Sequence, residues 1–410
     1  MSTEKKTRLV PKLRFPEFRD SGVWAQKSIE NYFDVGSSKR VLQQDWTTQG
    51  IPFYRTRELV SLSKGEPFAS EIFIAEKLFY EIAGKYDIPK EGDFLVSGVG
   101  TLGISYLVKS SDKFYFKDGN VLWFAKREQI SSKFFKYCFE SDGIQNQITK
   151  QASVSTVGTY TIQNAKTTKF LIPPTAAEQQ KIADCLSSLD ELITAQARKV
   201  EALKTHKKGL MQQLFPREGE TQPRLRFPEF VGDWEIKTLK QACKMQAGKF
   251  ISASEIKDKN SDGFFPCFGG NGLRGYTETH THEGTYPLIG RQGALCGNVK
   301  LAKSLFYATE HALVVTPNAG VHTVWLYFLL DFMNLNQYAT GQAQPGLSVD
   351  VLNALPVAIP TQEKEQQRVA DSLISVDDLI TAATEELDSL KTQKKGLMQQ
   401  LFPSSEVVNA

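Results

Sequence analysis

The sequence predicts an α+β tandem: two β-rich bodies joined by two long helices that form an antiparallel intramolecular coiled coil, the whole a pseudo-two-fold tandem repeat. Three observations carry this expectation. The decapeptide KKGLMQQLFP occurs at 207–216 and again, letter for letter, at 394–403. RFPEF at 14–18 returns at 226–230, each time after Pro-(Lys/Arg)-Leu and shortly before a tryptophan, Trp24 or Trp234. In front of each decapeptide, apolar residues recur in alternating steps of four and three. Internal duplication of this kind is the mark of a repeated architecture, and 410 residues exceed what one ordinary core organises.

In chain order, the first body (1–177) opens on RFPEF and carries short β-branched and aromatic runs broken by glycine: DFLVSG, ISYLVK and KFYFKDGNVLWF. These read as strands, and SKFFKYCFES reads as a short helix. The central helix (178–216) has the ladder Ile182, Leu186, Leu189, Ile193, Val200, Leu203, Leu210 and Leu214, with Gln196 and Lys207 in the two remaining seam positions. The second body (217–362) repeats the style in TYPLIG, GNVKL and LFYATEHALVV, with a helix at TVWLYFLLDFM. The distal helix (363–403) reads Val369, Leu373, Val376, Ile380, Ala383, Leu387, Leu390, Lys394, Leu397 and Leu401, and a tail (404–410) follows. Both helices start with EQQ after a proline-containing strand end and stop at Phe-Pro. A 4-3 pattern sustained over about five heptads is a coiled-coil seam, and each helix would be roughly 50 Å long.

The seam composition also predicts direction. Paired parallel and in register, Lys207 would face Lys394 in a buried row. Paired antiparallel, Lys207 falls opposite Val376 beside Asp377 and Asp378, and Lys394 falls opposite Leu189 beside Asp190 and Glu191. Opposite charges then meet, so the antiparallel register is favoured. The plainer alternative is that each helix packs separately on its own body.

The bodies resemble each other distantly. FYFKDGNVLWF (114–124) parallels FYATEHALVVT (306–316), and GTYTIQNAKTTKFLIPP (158–174) parallels PGLSVDVLNALPVAIP (345–360). Net charge is only +3, so a nucleic-acid surface has to come from local clustering. Five scattered cysteines without a CxxC pair indicate neither a disulfide framework nor a zinc ribbon. The charged start, MSTEKKTRLV, lacks the apolar stretch of a signal peptide, and VWLYFLLDFM is too short to span a bilayer. The expectation is a cytoplasmic protein with no membrane partner.

No catalytic constellation is legible. GVGTLG (98–103) fits GxGxxG, but ISYLVK follows it as a strand, so it reads as a tight β-turn, not a dinucleotide loop. No Walker A lysine motif, nucleophile elbow or adenine-methyltransferase motif is present. THTHE (279–283) offers His280, His282 and Glu283 without a further ligand cluster, and solvated loop histidines are the default reading. His311 is expected in a buried strand as a hydrogen-bonded core residue. What remains is recognition chemistry. SSKRV and PFYRTREL set Lys39, Arg40, Arg55 and Arg57 among aromatics and turn residues. GGNGLRGYTET and IGRQGALCGNVK set Arg274, Arg291, Gln292, Asn298 and Lys300 on glycine-rich segments. Arg and Lys suit guanine edges and phosphates, Gln and Asn suit adenine edges, and glycine admits close backbone approach. Arginines on β loops also serve as plain solvated surface, and residue chemistry alone leaves both roles open.

Taken together, the LRFPEF opening, the EQQ-led heptad helix and the KKGLMQQLF ending resemble the constant regions of the specificity (S) subunit of type I restriction–modification systems. GIPFYRTREL, GDFLVSGVGTLG and GNGLRGYTE…LIGRQGALCGNV…FYATEHALVV are similar to its target-recognition blocks. The resemblance covers essentially the whole chain. It implies a non-catalytic chain that binds double-stranded DNA, with no cofactor of its own. Two modification subunits would methylate adenine with S-adenosylmethionine, and restriction subunits would use ATP and magnesium. It further implies that each body reads one half of a split, asymmetric site, with half-site centres on one DNA face about 34–36 Å apart. A specificity subunit serving methylation only, or a coiled-coil scaffold without DNA, are the alternatives.

Overall fold

A computed structural model describes residues 10–65, 72–152, 158–293, 295–341 and 345–403. The charged start at 1–9 and the tail at 404–410 lie outside the described residues. The chain divides into two compact units, 1–195 with 387–410, and 196–386. The division falls inside both long helices, Ala176–Leu214 and Glu363–Leu401, so each unit owns half of each.

In the first unit one four-stranded sheet runs Phe33–Gly36, Val121–Lys126, Phe94–Ser97, Ser105–Leu107, all antiparallel. A second runs Trp46–Thr47, Phe73–Ile74, Ile51–Tyr54, Tyr115–Phe116, the last pair parallel. The ribbon Ala25–Ser28 with Lys169–Ile172 joins the start of the body to its end. In the second unit the corresponding sheets are Cys243–Ala247, Ala312–Pro317, Tyr286–Gly290, Val299–Ala302 and Gly272–Thr277, Phe265–Gly269, Leu305–Ala308, His282–Glu283. Its ribbon pairs Glu235–Thr238 with Pro356–Ile359, and Phe265–Gly269 runs parallel to Leu305–Ala308. The first sheet and the ribbon are laid out alike in the two bodies, and each second sheet contains one parallel pair. GVGTLG lies in the connection between Phe94–Ser97 and Ser105–Leu107, where Gly100 and Gly103 take positive φ, so it is a turn between strands.

The duplicated motifs meet at the helix starts. Glu178, buried at the first turn of the central helix, accepts Arg14 Nε at 2.8 Å and Nη2 at 2.7 Å, together with the Trp24 indole N–H at 3.1 Å. Glu365 repeats this with Arg226 Nε at 2.7 Å, Nη2 at 2.9 Å and Trp234 at 3.0 Å. The next residues also correspond. Gln179 accepts the Ser131 backbone N–H at the cap of helix Ser132–Glu140, and Gln366 accepts His322 at the cap of Thr323–Phe332. RFPEF and EQQ therefore form one buried clamp, made once per body.

The two copies of KKGLMQQLFP serve different units. Phe402 packs on Trp24 and Phe134, while Phe215 packs on Trp325 and Phe332. Each copy thus closes the core of the body other than the one immediately before it in sequence. The lysines fix the pairing: Lys394 Nζ lies 2.6 Å from Asp190 Oδ1 in one unit, and Lys207 Nζ lies 2.7 Å from Asp377 Oδ1 in the other. Within each unit the helix halves are therefore antiparallel. Seam side chains are buried or half-buried, and the buried Gln196 donates to Ala383 O at 2.9 Å and Glu386 at 2.8 Å. Ile182, Leu186 and Leu401 also belong to the first body's core, as Leu214, Val369 and Leu373 do to the second's. Packing on the bodies and pairing in the seam are thus both present.

Candidate nucleic-acid interface

The second body carries an open cavity of about 570 Å³ lined by Gly269–Arg274, Gln292, Gly293, Leu295 and His311. Its wall is glycine because backbone touches backbone there: a Cβ on Gly290 would sit 1.9 Å from Gly270 O. Arg274 projects from the hairpin strand Gly272–Thr277, and Lys300 lies alongside Gly272. Asn298 Nδ2 is 3.5 Å from Asn271 Oδ1, and Gln292 is held by a backbone bridge to Gly346. Arg291 is half-buried, its N–H donating to His311 O at 2.8 Å, and marks the edge of the cluster.

His311 departs from expectation. It is not a core strand residue but sits in the turn between Leu305–Ala308 and Ala312–Pro317, half-exposed on the cavity, with Nε2 3.1 Å from Glu310 Oε1. The YATEHALVV run is two strands with a polar turn, not one strand. The THTHE histidines pack on aromatics: His280 edge-on to Phe265 at 4.9 Å, and His282 stacked on Phe306 at 5.2 Å. Burial, then the charge of Lys249, push His282 below its ordinary value and favour the neutral ring.

In the first body the candidates separate. Lys39 lies over the Tyr86 ring at 4.7 Å and, with Tyr86, Tyr115 and Trp123, borders a cavity of about 160 Å³. Arg40 is exposed, with Nε 4.0 Å from Asp118. Arg55 and Arg57 instead converge on the buried Glu58, at 2.6 and 3.0 Å, where Arg55 and Glu58 form the box that starts helix Thr56–Lys64. Burial alone would raise the Glu58 carboxyl, but hydrogen bonds from Arg55 hold it below the usual range. These pairs brace the first turn of the helix while the Arg57 side chain stays 61% exposed, and the Arg-Thr-Arg-Glu spacing is the signal that could have foretold them.

A profile described as the type I restriction modification DNA specificity domain matches residues 22–205 and 232–392. The chain belongs to that family. Among curated relatives of this family, the type I restriction enzyme EcoprrI specificity subunit of Escherichia coli is 46% identical over 162 residues, 39% of this chain and 40% of that protein. The MjaVIII specificity subunit of Methanocaldococcus jannaschii is 25% identical over 263 residues, 57% of this chain and 61% of the relative. The matches thus span about two-fifths to three-fifths of those relatives' length. In fold, the chain is similar to the type I restriction–modification S subunit from M. genitalium, with a TM-score of 0.62 at 17% identity over 96% of this chain and 99% of that one. For a specificity-family chain, unlike donor sets mounted on related bodies are the feature that bears on function.

Proposed function

We propose that this chain is the DNA sequence-specificity subunit of a type I restriction–modification complex. Each body reads one half of a split, asymmetric site, and the two helices set the spacer and dock two modification subunits. Restriction subunits complete the assembly. S-adenosylmethionine, ATP and magnesium belong to those partners, and the complex works in the cytoplasm with the cell's DNA. One observation carries the reading: two bodies with the same first sheet and the same Glu–Arg–Trp clamp differ in what they display. The second lines an open cavity with Arg274 and Gln292 and carries Asn298 and Lys300 beside lining residues, whereas the first exposes Lys39 and Arg40. Constant parts fit constant partners, while divergent donors suit different base pairs. Leu192 and Leu379, exposed at equivalent places on the two helices, are apolar surface suited to a protein partner.

The test is methylated-base sequencing of cells carrying the chain with its modification subunit, against a strain lacking it. A methylated adenine motif in two unlike halves around a fixed gap, lost in the deletion, is the expected result. An unchanged methylome with complex assembly verified would overturn the reading in favour of a scaffold without DNA.

A further inference from the structure

We propose that Phe250 is a DNA-contacting wedge that inserts at a base step within the second body's half-site; the proposal rests on the DNA-reading function above and deepens it. At 76% exposure, Phe250 is the most exposed of the large apolar side chains among the described residues. Its backbone is not loose. Lys249 N–H donates to Ala308 O at 2.9 Å, and the Tyr307 hydroxyl donates to Phe250 O at 3.0 Å. The neighbouring Ile251 is buried, and the turn Ala253–Glu255 follows it. At Gly248 a Cβ would lie 2.1 Å from Ala308 O, so the chain is pressed against the end of strand Leu305–Ala308. A fixed backbone thus holds a bare aromatic ring in water.

The segment that fixes Phe250 also builds the cavity. Thr309 N–H donates to Phe268 O at 2.9 Å, and His311 O lies beside Gly270 in the cavity wall. The backbone of Phe250 and the cavity's His311 are therefore fixed by the same short segment, Tyr307 to His311. The first body has a similar piece of scaffold: Val41 is buried, the turn Gln43–Asp45 follows, and the Tyr115 hydroxyl bonds the backbone of Lys39, two residues before Val41, at 2.9 and 3.1 Å. There the residue before the buried one is Arg40, its side chain 73% exposed. One loop position thus displays a cation in one body and an aromatic in the other. A cation suits phosphate or a guanine edge. An exposed aromatic ring next to Lys249 in the chain suits the apolar face of a base beside a phosphate chain.

The experiment uses the complex of the full chain with its modification subunits and a duplex carrying the motif found by methylome sequencing. Phe250→Ala should weaken duplex binding by roughly 10- to 100-fold, while Phe250→Trp stays near wild type. A fluorescent purine analogue placed in the second half-site should brighten on binding wild type and stay dim with Phe250→Ala. Equal binding and fluorescence for wild type and Phe250→Ala would overturn the proposal and leave the DNA-reading function standing. Loss of modification-subunit binding in Phe250→Ala would assign the ring to a protein interface and overturn it too. Absence of any motif for wild type would overturn both.

Discussion

One buried carboxylate joins each body to its helix, and its removal should be felt strongly. Glu178→Ala leaves the Arg14 guanidinium and the Trp24 indole N–H buried without their acceptor. Breaking such a pair costs about 3–5 kcal/mol, so the urea midpoint should fall sharply, and Glu178→Gln, which keeps one acceptor oxygen, should cost less. Two neighbouring carboxylates of the first unit, Glu140 and Asp190, are shifted in opposite senses. Glu140 stands beside Lys136, Lys394 and Asp190, and burial raises its carboxyl against the pull of the lysines. Burial would raise Asp190 as well, but the hydrogen bond from Lys394 and the charge of Lys136 hold it below the usual range. The signs follow from linkage. Asp190 contributes stability above its unfolded value that is lost as pH falls through the depressed folded one. Glu140 imposes a cost above its raised folded value that vanishes on acidification. Urea midpoints measured across the carboxylate range should show Asp190→Asn weaker at neutral pH and converging on wild type in acid. Glu140→Gln should be at least as stable as wild type at neutral pH, its advantage disappearing as pH falls.

At the scale of elements, the helix register depends on where two lysines fall. Lys207→Glu would set a like charge against Asp377 in a half-buried row, and Asp377→Lys in the same chain should restore the pair. A double-mutant cycle by chemical unfolding should give a coupling of about 1 kcal/mol; zero coupling would remove the lysines from the register argument. This register was legible in sequence because the 4-3 ladder persists along each helix and acids flank the facing position of each seam lysine. The sheets were legible only as runs of strand residues. The parallel pairing of Ile51–Tyr54 with Tyr115–Phe116 joins distant segments and leaves no periodic trace. The candidate site was legible in part. The glycine-flanked Arg274 and Gln292 line one cavity, whereas the pairing of Arg55 and Arg57 with Glu58 was not read from the sequence. His311 was missed because Thr309–His311 is a turn too short to interrupt the apolar run around it. Phe250 carried no signal at all, since a lone phenylalanine on a loop looks in sequence like one in a core.

At the scale of the whole chain, the repeat makes each half an interchangeable part. If each body reads its own half-site, replacing residues 231–360 with another family member's body should change one half of the methylated motif and leave the other. A change in both halves would break the one-body-one-half assignment. The repeat also bears on connectivity. Leu225 N–H donates to Gln213 O at 2.9 Å, across a short stretch of continuous chain; the equivalent Leu13 N–H donates to Gln400 O at 3.0 Å, between segments far apart in sequence. Around both bonds the same residues recur, with Phe215 and Phe402 in the adjoining cores. The fold therefore tolerates a covalent link at either place, because the backbone already runs close by and its hydrogen bond is already made. A circular permutant beginning near Glu218, with the segment after Pro403 joined to the residues before Leu13, should keep the wild-type unfolding midpoint. It should bind modification subunits and direct methylation to an unchanged motif. A permutant that folds with that midpoint yet fails to bind its partners would mean that the junction after Pro216 belongs to the docking surface and is not a free connection.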